Sequence, residues 1–453
     1  MYAMLFPSIL LLTCFLFLAF TNYLLTNRPP TSTRSRTHSS PEAIVALLSR
    51  TGAQSTSGSR KIASLLESRA LANERLRRAF GLTNTFVSAN VGVHTSFVRQ
   101  MTTLISRHGR NPSDYQQWAD FLHVARQAVA SHLFPESESQ SCSLSGSFAE
   151  FIQLVTLKVV IAGLLNPDGD MATIDAEDLR VSAALITKLW AMSKLPSHPT
   201  NSPLSSELNL LNHHLRRLLP DTEKYPNPID FVIPTWETLW RLVATCLAHV
   251  YNNEAYHRVF EELLEDPASR RYNGIHSDSK GSSELCASWI ITETLRLHPP
   301  SRHISRTFQA DPSFVIRFLA KVLPESFADW LNLPQITEIA DIEHVHLCAH
   351  IWGPDALTFD PGRWAATSCF ESGMTKESGA GKPDTVTFFA FGHGPLSCVG
   401  KKWAPMASAI IIAAILEGIK VKGLEIIGTS NIGGRAGWDG WKIQRARIYA
   451  CYA

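Results

Sequence analysis

The chain has 453 residues, 45% of them hydrophobic and 18% charged, enough to bury a large core. Lys and Arg number 42 against 40 Asp and Glu, a net charge of +2. This near balance excludes the global basic bias of a nucleic-acid-binding chain. Eight cysteines are scattered without a repeated pair spacing, which argues against a disulfide scaffold and for free thiols in a reducing compartment.

At the amino terminus, Tyr2 to Leu25 carries no charged side chain. About 20 apolar residues span a bilayer core as helix, so residues 2–25 are expected to form a transmembrane anchor. Arg28, Arg34 and Arg36 follow the run and none precedes it, which places the remainder on the cytosolic side. A cleaved signal peptide is the competing reading, though it lacks a basic n-region. Residues 26–41, rich in Ser, Thr and Pro, read as a polar linker. Residues 42–453 are expected to form one large domain.

Apolar residues at three- and four-residue spacing predict helices in EAIVALLSR (42–50), RKIASLLESRALANERLRRAF (60–80), FAEFIQLVTLKVVIAGLL (148–165) and AEDLRVSAALITKLWAMSKL (176–195). The stretches PESESQSCSLSGS (135–147) and ESGMTKESGAGKPD (371–384) read as surface loops. Strands are expected at TVTFFAF (385–391) and GLEIIGT (423–429). The chain is therefore mainly α with a small β region.

Cys398 follows a β-like run and a glycine-rich turn with Gly392 and Gly394, and opens a long apolar helical stretch. Unpaired amides and the positive end of the dipole at a helix start favour a thiolate, the form that binds metal. The competing reading is a buried structural cysteine in a glycine-rich turn. Phe391, Gly394, Cys398, Gly400 and Ala404 resemble the cysteine-ligand signature of the cytochrome P-450 family. Two residues before the cysteine, where that family usually has Arg, this chain has Leu396.

Upstream, Glu293 and Arg296 share a helix face in TETLRLHPPSRHISR, whose Leu-His-Pro-Pro resembles the end of the family's K helix. Trp352 to Ala356 and Phe359 to Trp364 resemble the family's meander. The resemblance implies that Arg363 joins Glu293 and Arg296 in a buried structural triad. Glu237 and Thr238 fill the acid–alcohol positions of the oxygen-handling I helix, where they imply proton delivery. Pro234 and Thr235 stand in place of the usual small residues, and the pair also reads as the opening of an ordinary helix.

The resemblance further implies that Arg302, His303 and Arg306 contact haem propionates, with solvated surface residues as the alternative. Trp118 resembles a tryptophan that assists there, but its usual partner Arg is Leu122. Lys401 and Lys402 are a slight sign of a basic docking face for a reductase. His344, His346, Cys348 and His350 alternate, and on a strand they would share a face as zinc-type ligands.

The resemblance as a whole implies the mainly helical cytochrome P-450 fold, with haem (iron protoporphyrin IX) held by Cys398 as axial ligand. It implies a membrane monooxygenase acting on a lipophilic small molecule with O2. Electrons would come from NADPH through a reductase. The fungal microsomal texture points to a single-pass endoplasmic-reticulum protein serving secondary-metabolite biosynthesis. An enzyme of the same fold that rearranges, dehydrates or desaturates, and a non-catalytic haem protein, are the alternatives.

Overall fold

A computed structural model describes residues 34–49, 58–106, 115–133, 145–194, 202–275, 285–309, 335–365, 375–376, 385–434 and 437–446. The anchor predicted at 2–25 lies outside these residues. The chain forms two compact units, 1–37 with 306–339, and 38–305 with 340–453.

Three strands, β1 (Arg34–His38), β3 (His303–Gln309) and β4 (Gln335–Asp341), form a sheet of order β1-β4-β3. In the first unit the hydroxyls of Thr307 and Thr337 meet at 3.0 Å.

The second unit is mainly helical. Its amino-terminal helices are α1 (Pro41–Ser49), α2 (Gly58–Ala72), α3 (Glu74–Phe80), α4 (Val91–Ser106) and α5 (Tyr115–His132). The predicted helix over 60–80 is thus two helices, meeting at Asn73, whose side-chain amide donates to the Phe86 carbonyl (3.1 Å). After β2 (Ser145–Ser147) come α6 (Phe148–Val159), which runs into a π turn over Val160–Leu165, then α7 (Ala176–Met192) and α8 (Ser202–Leu218). The central helix α9 spans Ile229–Val250, and α10 (Glu254–Glu265), α11 (Ser269–Tyr272) and α12 (Ala287–Leu297) follow. Short helices α13 (Ile342–Leu347) and α14 (Ala349–Trp352) precede the two-stranded pair β5 (Thr375–Lys376) and β6 (Thr385–Val386). Helix α15 (Ala404–Val421) leads to β7 (Leu424–Ile427) and β8 (Lys442–Arg445), and β8 pairs antiparallel with both β7 and β2.

Helix α6 together with its π turn (Phe148–Leu165) and helix α15 are long and apolar enough to span a bilayer, but both are largely buried in the unit. They are core helices, apolar nearly all round because protein covers nearly all sides. Helix α15 packs on α5, α9, α10 and α12. Its Gly418 permits the close approach to α5, since a Cβ there would lie 2.5 Å from the Val129 side chain. An aromatic chain runs through this contact, from Trp118 to Phe121 (5.7 Å) and from Phe121 to Trp403 (5.8 Å).

Helix α9 continues through Pro234. Proline has no amide to donate to the carbonyl four residues earlier, that of Asp230. Asn84 supplies the missing donor, its Nδ2 reaching the Asp230 carbonyl at 2.8 Å. The Asp230 carboxylate in turn accepts from the Thr83 amide (2.9 Å) and hydroxyl (2.5 Å), which pins the 83–84 turn to the helix start.

Candidate active site

The strand predicted over 385–391 is confined to Thr385–Val386. Beyond it the chain turns. The Gly392 amide donates to the Phe389 carbonyl (2.8 Å), and the Cys398 amide donates to the Phe391 carbonyl (2.9 Å). Gly394 takes a left-handed φ of 71°, and a Cβ there would lie 3.2 Å from the Leu48 carbonyl oxygen of α1. A side chain at 394 would be strained in backbone and crowded at once.

Cys398 then caps a 3-10 turn, Val399–Lys401, that feeds α15. Its side chain is exposed. Even so, surrounding protein pushes its pKa up, while the Gly400 amide donating to sulfur and the Lys401 charge pull it down. The donor set suits a thiolate ligand: one soft sulfur, one amide hydrogen bond and one nearby cation. Helix α4 packs directly on this turn. Trp118 lies on the next helix, 1% exposed within the aromatic chain against α15.

The Glu293–Arg296–Arg363 cluster is assembled and fully hydrogen-bonded. Both Glu293 and Arg296 have side chains 0% exposed. Arg296 donates to the two Glu293 oxygens at 2.9 and 2.8 Å, and Arg363 Nε donates to Oε1 at 2.9 Å. The Asp360 amide and Trp364 Nε1 complete the carboxylate, each at 3.1 Å. Arg296 also donates to the carbonyls of His346 (2.8 Å) and Ala356 (2.7 Å). A charge group removed from water is tolerated because every lone pair and N–H has a partner.

Helix α9 is buried at nearly every position, yet Thr238 is exposed. Pro234 and Arg241 lie on the same stripe, four residues before it and three after. Glu237 is buried and paired with Arg241 (Oε1 to Nε, 3.3 Å), which also donates to the Pro300 carbonyl (2.9 Å). The acid and the alcohol are therefore differently housed: a paired, buried carboxylate beside an open hydroxyl.

Arg302 and His303 are about half exposed and face Glu343 (3.3 Å) and Asp341 (3.5 Å) respectively. Arg306 belongs to the first unit, on β3, where burial pushes its pKa down to about 10. The alternating set at 344–350 is not a strand. His344 and His346 lie in α13 and His350 in α14, so a two-residue period does not put them on one face. Both ring nitrogens of His346 are engaged with the main chain, at Arg296 and Phe389. Sequence reasoning missed this role, and missed Arg241, whose four-residue spacing from Glu237 was the available signal. It also missed Trp364 and the Asp360 amide as Glu293 donors.

Residues 331–426 match the family model described as Cytochrome P450. Over 91% of its length the chain superposes on 87% of a crystal structure of a cytochrome P450DA mutant heme domain, with TM-score 0.56 and 14% identity.

The chain has the cytochrome P-450 fold.

Among similar curated proteins, Cytochrome P450 CYP749A22 of Panax ginseng is 31% identical over 175 residues, covering 38% of this chain and 29% of that one. Cytochrome P450 714A2 of Arabidopsis thaliana is 27% identical over 176 residues, 39% and 28% of the two chains. The cytochrome P450 monooxygenase eriI of Hericium erinaceus is 30% identical over 128 residues, 28% and 22%. The matched part spans less than one third of each of these relatives. The cysteine turn, the Glu293 cluster's meander and all of α15 fall inside the stretch that matches the cytochrome P-450 family model.

Proposed function

We propose that the chain is a haem-thiolate monooxygenase that oxidises a lipophilic small molecule with O2. The observation that carries this reading is the Cys398 turn, an accessible sulfur with the Gly400 amide and the Lys401 cation beside it. Haem would be held by Cys398, with Phe391, Gly394 and Gly400 shaping the turn and with Arg302 and His303 as candidate propionate contacts. Trp118 stays a candidate only through the helix it supports. When bound, the haem supplies one-electron and dioxygen chemistry that no side chain performs.

The chain's own residues supply the rest. The Glu293–Arg296–Arg363 triad fixes the meander against α12, and that in turn supports the cysteine turn. Thr238 presents its hydroxyl from α9, and its sequence neighbour Glu237 supplies a carboxylate for proton transfer, oriented by Arg241. Electrons would come from NADPH through a membrane flavoprotein reductase, with Lys401 and Lys402 exposed beside the turn for docking. Residues 2–25 would anchor the chain in the endoplasmic reticulum as a single pass, followed by the linker 26–41 and the catalytic part 42–453. The fungal texture of the meander supports a role in secondary-metabolite biosynthesis.

A second reading is favoured by Leu396 and Pro234. Leu396 departs from the family pattern in the cysteine turn and Pro234 departs from it in the oxygen-handling helix, as expected of a relative that rearranges, dehydrates or desaturates, or that holds haem without turnover.

The test is the carbon monoxide difference spectrum of the reduced protein beside Cys398→Ser. A strongly red-shifted Soret band that the substitution abolishes supports the reading. A band indifferent to the substitution, or protein that binds no haem, overturns it.

A further inference from the structure

The two prolines after α12 strip hydrogen-bond donors from its last turn. Pro299 and Pro300 stand four residues after Leu295 and Arg296, so neither carbonyl has a helical amide to accept from. The His346 ring fills this gap, with Nδ1 3.2 Å from the Arg296 carbonyl and also within reach of the Leu295 carbonyl. On its other side Nε2 lies 2.8 Å from the Phe389 amide.

The partners dictate the tautomer. A carbonyl only accepts, so Nδ1 carries the proton; an amide N–H only donates, so Nε2 is bare. The ring is fully buried and stacks on Phe388, with centroids 5.1 Å apart and planes at 11°. Burial pushes its pKa down to about 3, which leaves it neutral at physiological pH.

We propose that His346 is a positioning residue for the cysteine turn, tying the main chain at Phe389 to the end of α12. From Phe389 the path to the sulfur is short. The Phe389 carbonyl takes the Gly392 amide, and two residues on the Phe391 carbonyl takes the Cys398 amide. The imidazole thereby connects the Glu293–Arg296–Arg363 triad to Cys398 without touching either the carboxylate or the sulfur. Without it the Phe389 amide is buried and unpaired, and the turn loses its fixed point on the helix. The proposal rests on the haem-thiolate reading of Cys398.

The experiment follows the decay of the red-shifted carbon monoxide band at a fixed elevated temperature. The haem-loaded full chain is compared with His346→Ala, His346→Asn and His346→Gln. Hydrogen exchange of the peptide containing Phe389 is measured alongside. The Gln amide reaches as far as Nε2 and can accept from Phe389, whereas the Asn amide reaches only as far as Nδ1. Ala and Asn are expected to lose the band about tenfold faster than the wild type, with faster exchange at Phe389 and unchanged protection in α12. Gln is expected to restore most of the wild-type behaviour.

Equal behaviour of Asn and Gln would mark a packing role and overturn the proposal, as would loss of protection throughout α12 in every variant. A wild type with the band and variants that keep it equally long would overturn the proposal alone. A wild type without the band would overturn the haem-thiolate reading and the proposal with it.

Discussion

Asn84 donates to the Asp230 carbonyl at 2.8 Å, the carbonyl that Pro234 leaves without a helical partner. A loop residue 146 positions upstream thus completes the first turn of the central helix. Asn84→Ala is expected to cost about 1–3 kcal/mol, because a buried acceptor loses its donor. In a Pro234→Ala background the helix has its own amide at that point, so the same substitution should cost less. A double-mutant cycle by denaturant unfolding measures this coupling, and strict additivity would show that Asn84 is not standing in for the missing amide.

Glu293 and Arg296 are wholly buried, whereas Arg363 retains a side-chain exposure of 11%. Glu293→Ala strands two guanidinium groups and should destabilise the fold by about 3–5 kcal/mol. Arg363→Ala should cost less, since Arg296 still pairs with the carboxylate and water reaches the vacated side. Thermal unfolding of the two variants gives the order.

The proposed roles of Glu237 and Thr238 separate from haem binding. Glu237→Gln keeps the shape of the side chain and removes its charge. It is expected to lower turnover on the order of 100-fold while the red-shifted carbon monoxide band stays intact. Loss of the band together with turnover would assign Glu237 a structural role through its pair with Arg241.

His249 and His298 meet Nε2 to Nε2 at 3.0 Å, and His249 stacks on Phe359 at 4.2 Å. Burial pushes both pKa values down to about 4 from an ordinary 6.5. The unfolded chain therefore binds more protons than the folded one between these values. Stability is full above about pH 6.5 and is lost as pH falls toward about 4. His249→Leu should flatten this part of the stability profile measured by denaturant unfolding; a slope equal to the wild type would place the acid sensitivity elsewhere.

The parts of the site that local chemistry announces were readable from sequence. Glu293 and Arg296 sit at helical spacing, and Cys398 follows a glycine turn at a helix start. The rest depended on who meets whom across the fold. The run at 385–391 has a strand's composition, but the Phe389 amide is taken by an imidazole rather than a neighbouring strand. His346 was visible as one of four alternating ligand-type residues, yet its role is set by prolines nearly fifty positions earlier. Arg302 and His303 look like haem cations by position and, in the described residues, face Glu343 and Asp341. Asn84 carried no signal, because nothing near it in sequence lacks a donor.

Gly418 lies fourteen residues along α15 from its start at Ala404, a distance of about 21 Å at 1.5 Å per residue. The helix therefore acts as a lever with its fulcrum against Val129 and the sulfur near its far tip. A Cβ wedged in at the fulcrum that tilted the axis by about 3° would swing that tip by about 1 Å, a displacement of the size that impairs chemistry at a reacting centre. The reach of the cysteine is thus calibrated in part by a hydrogen atom at the opposite end of the helix.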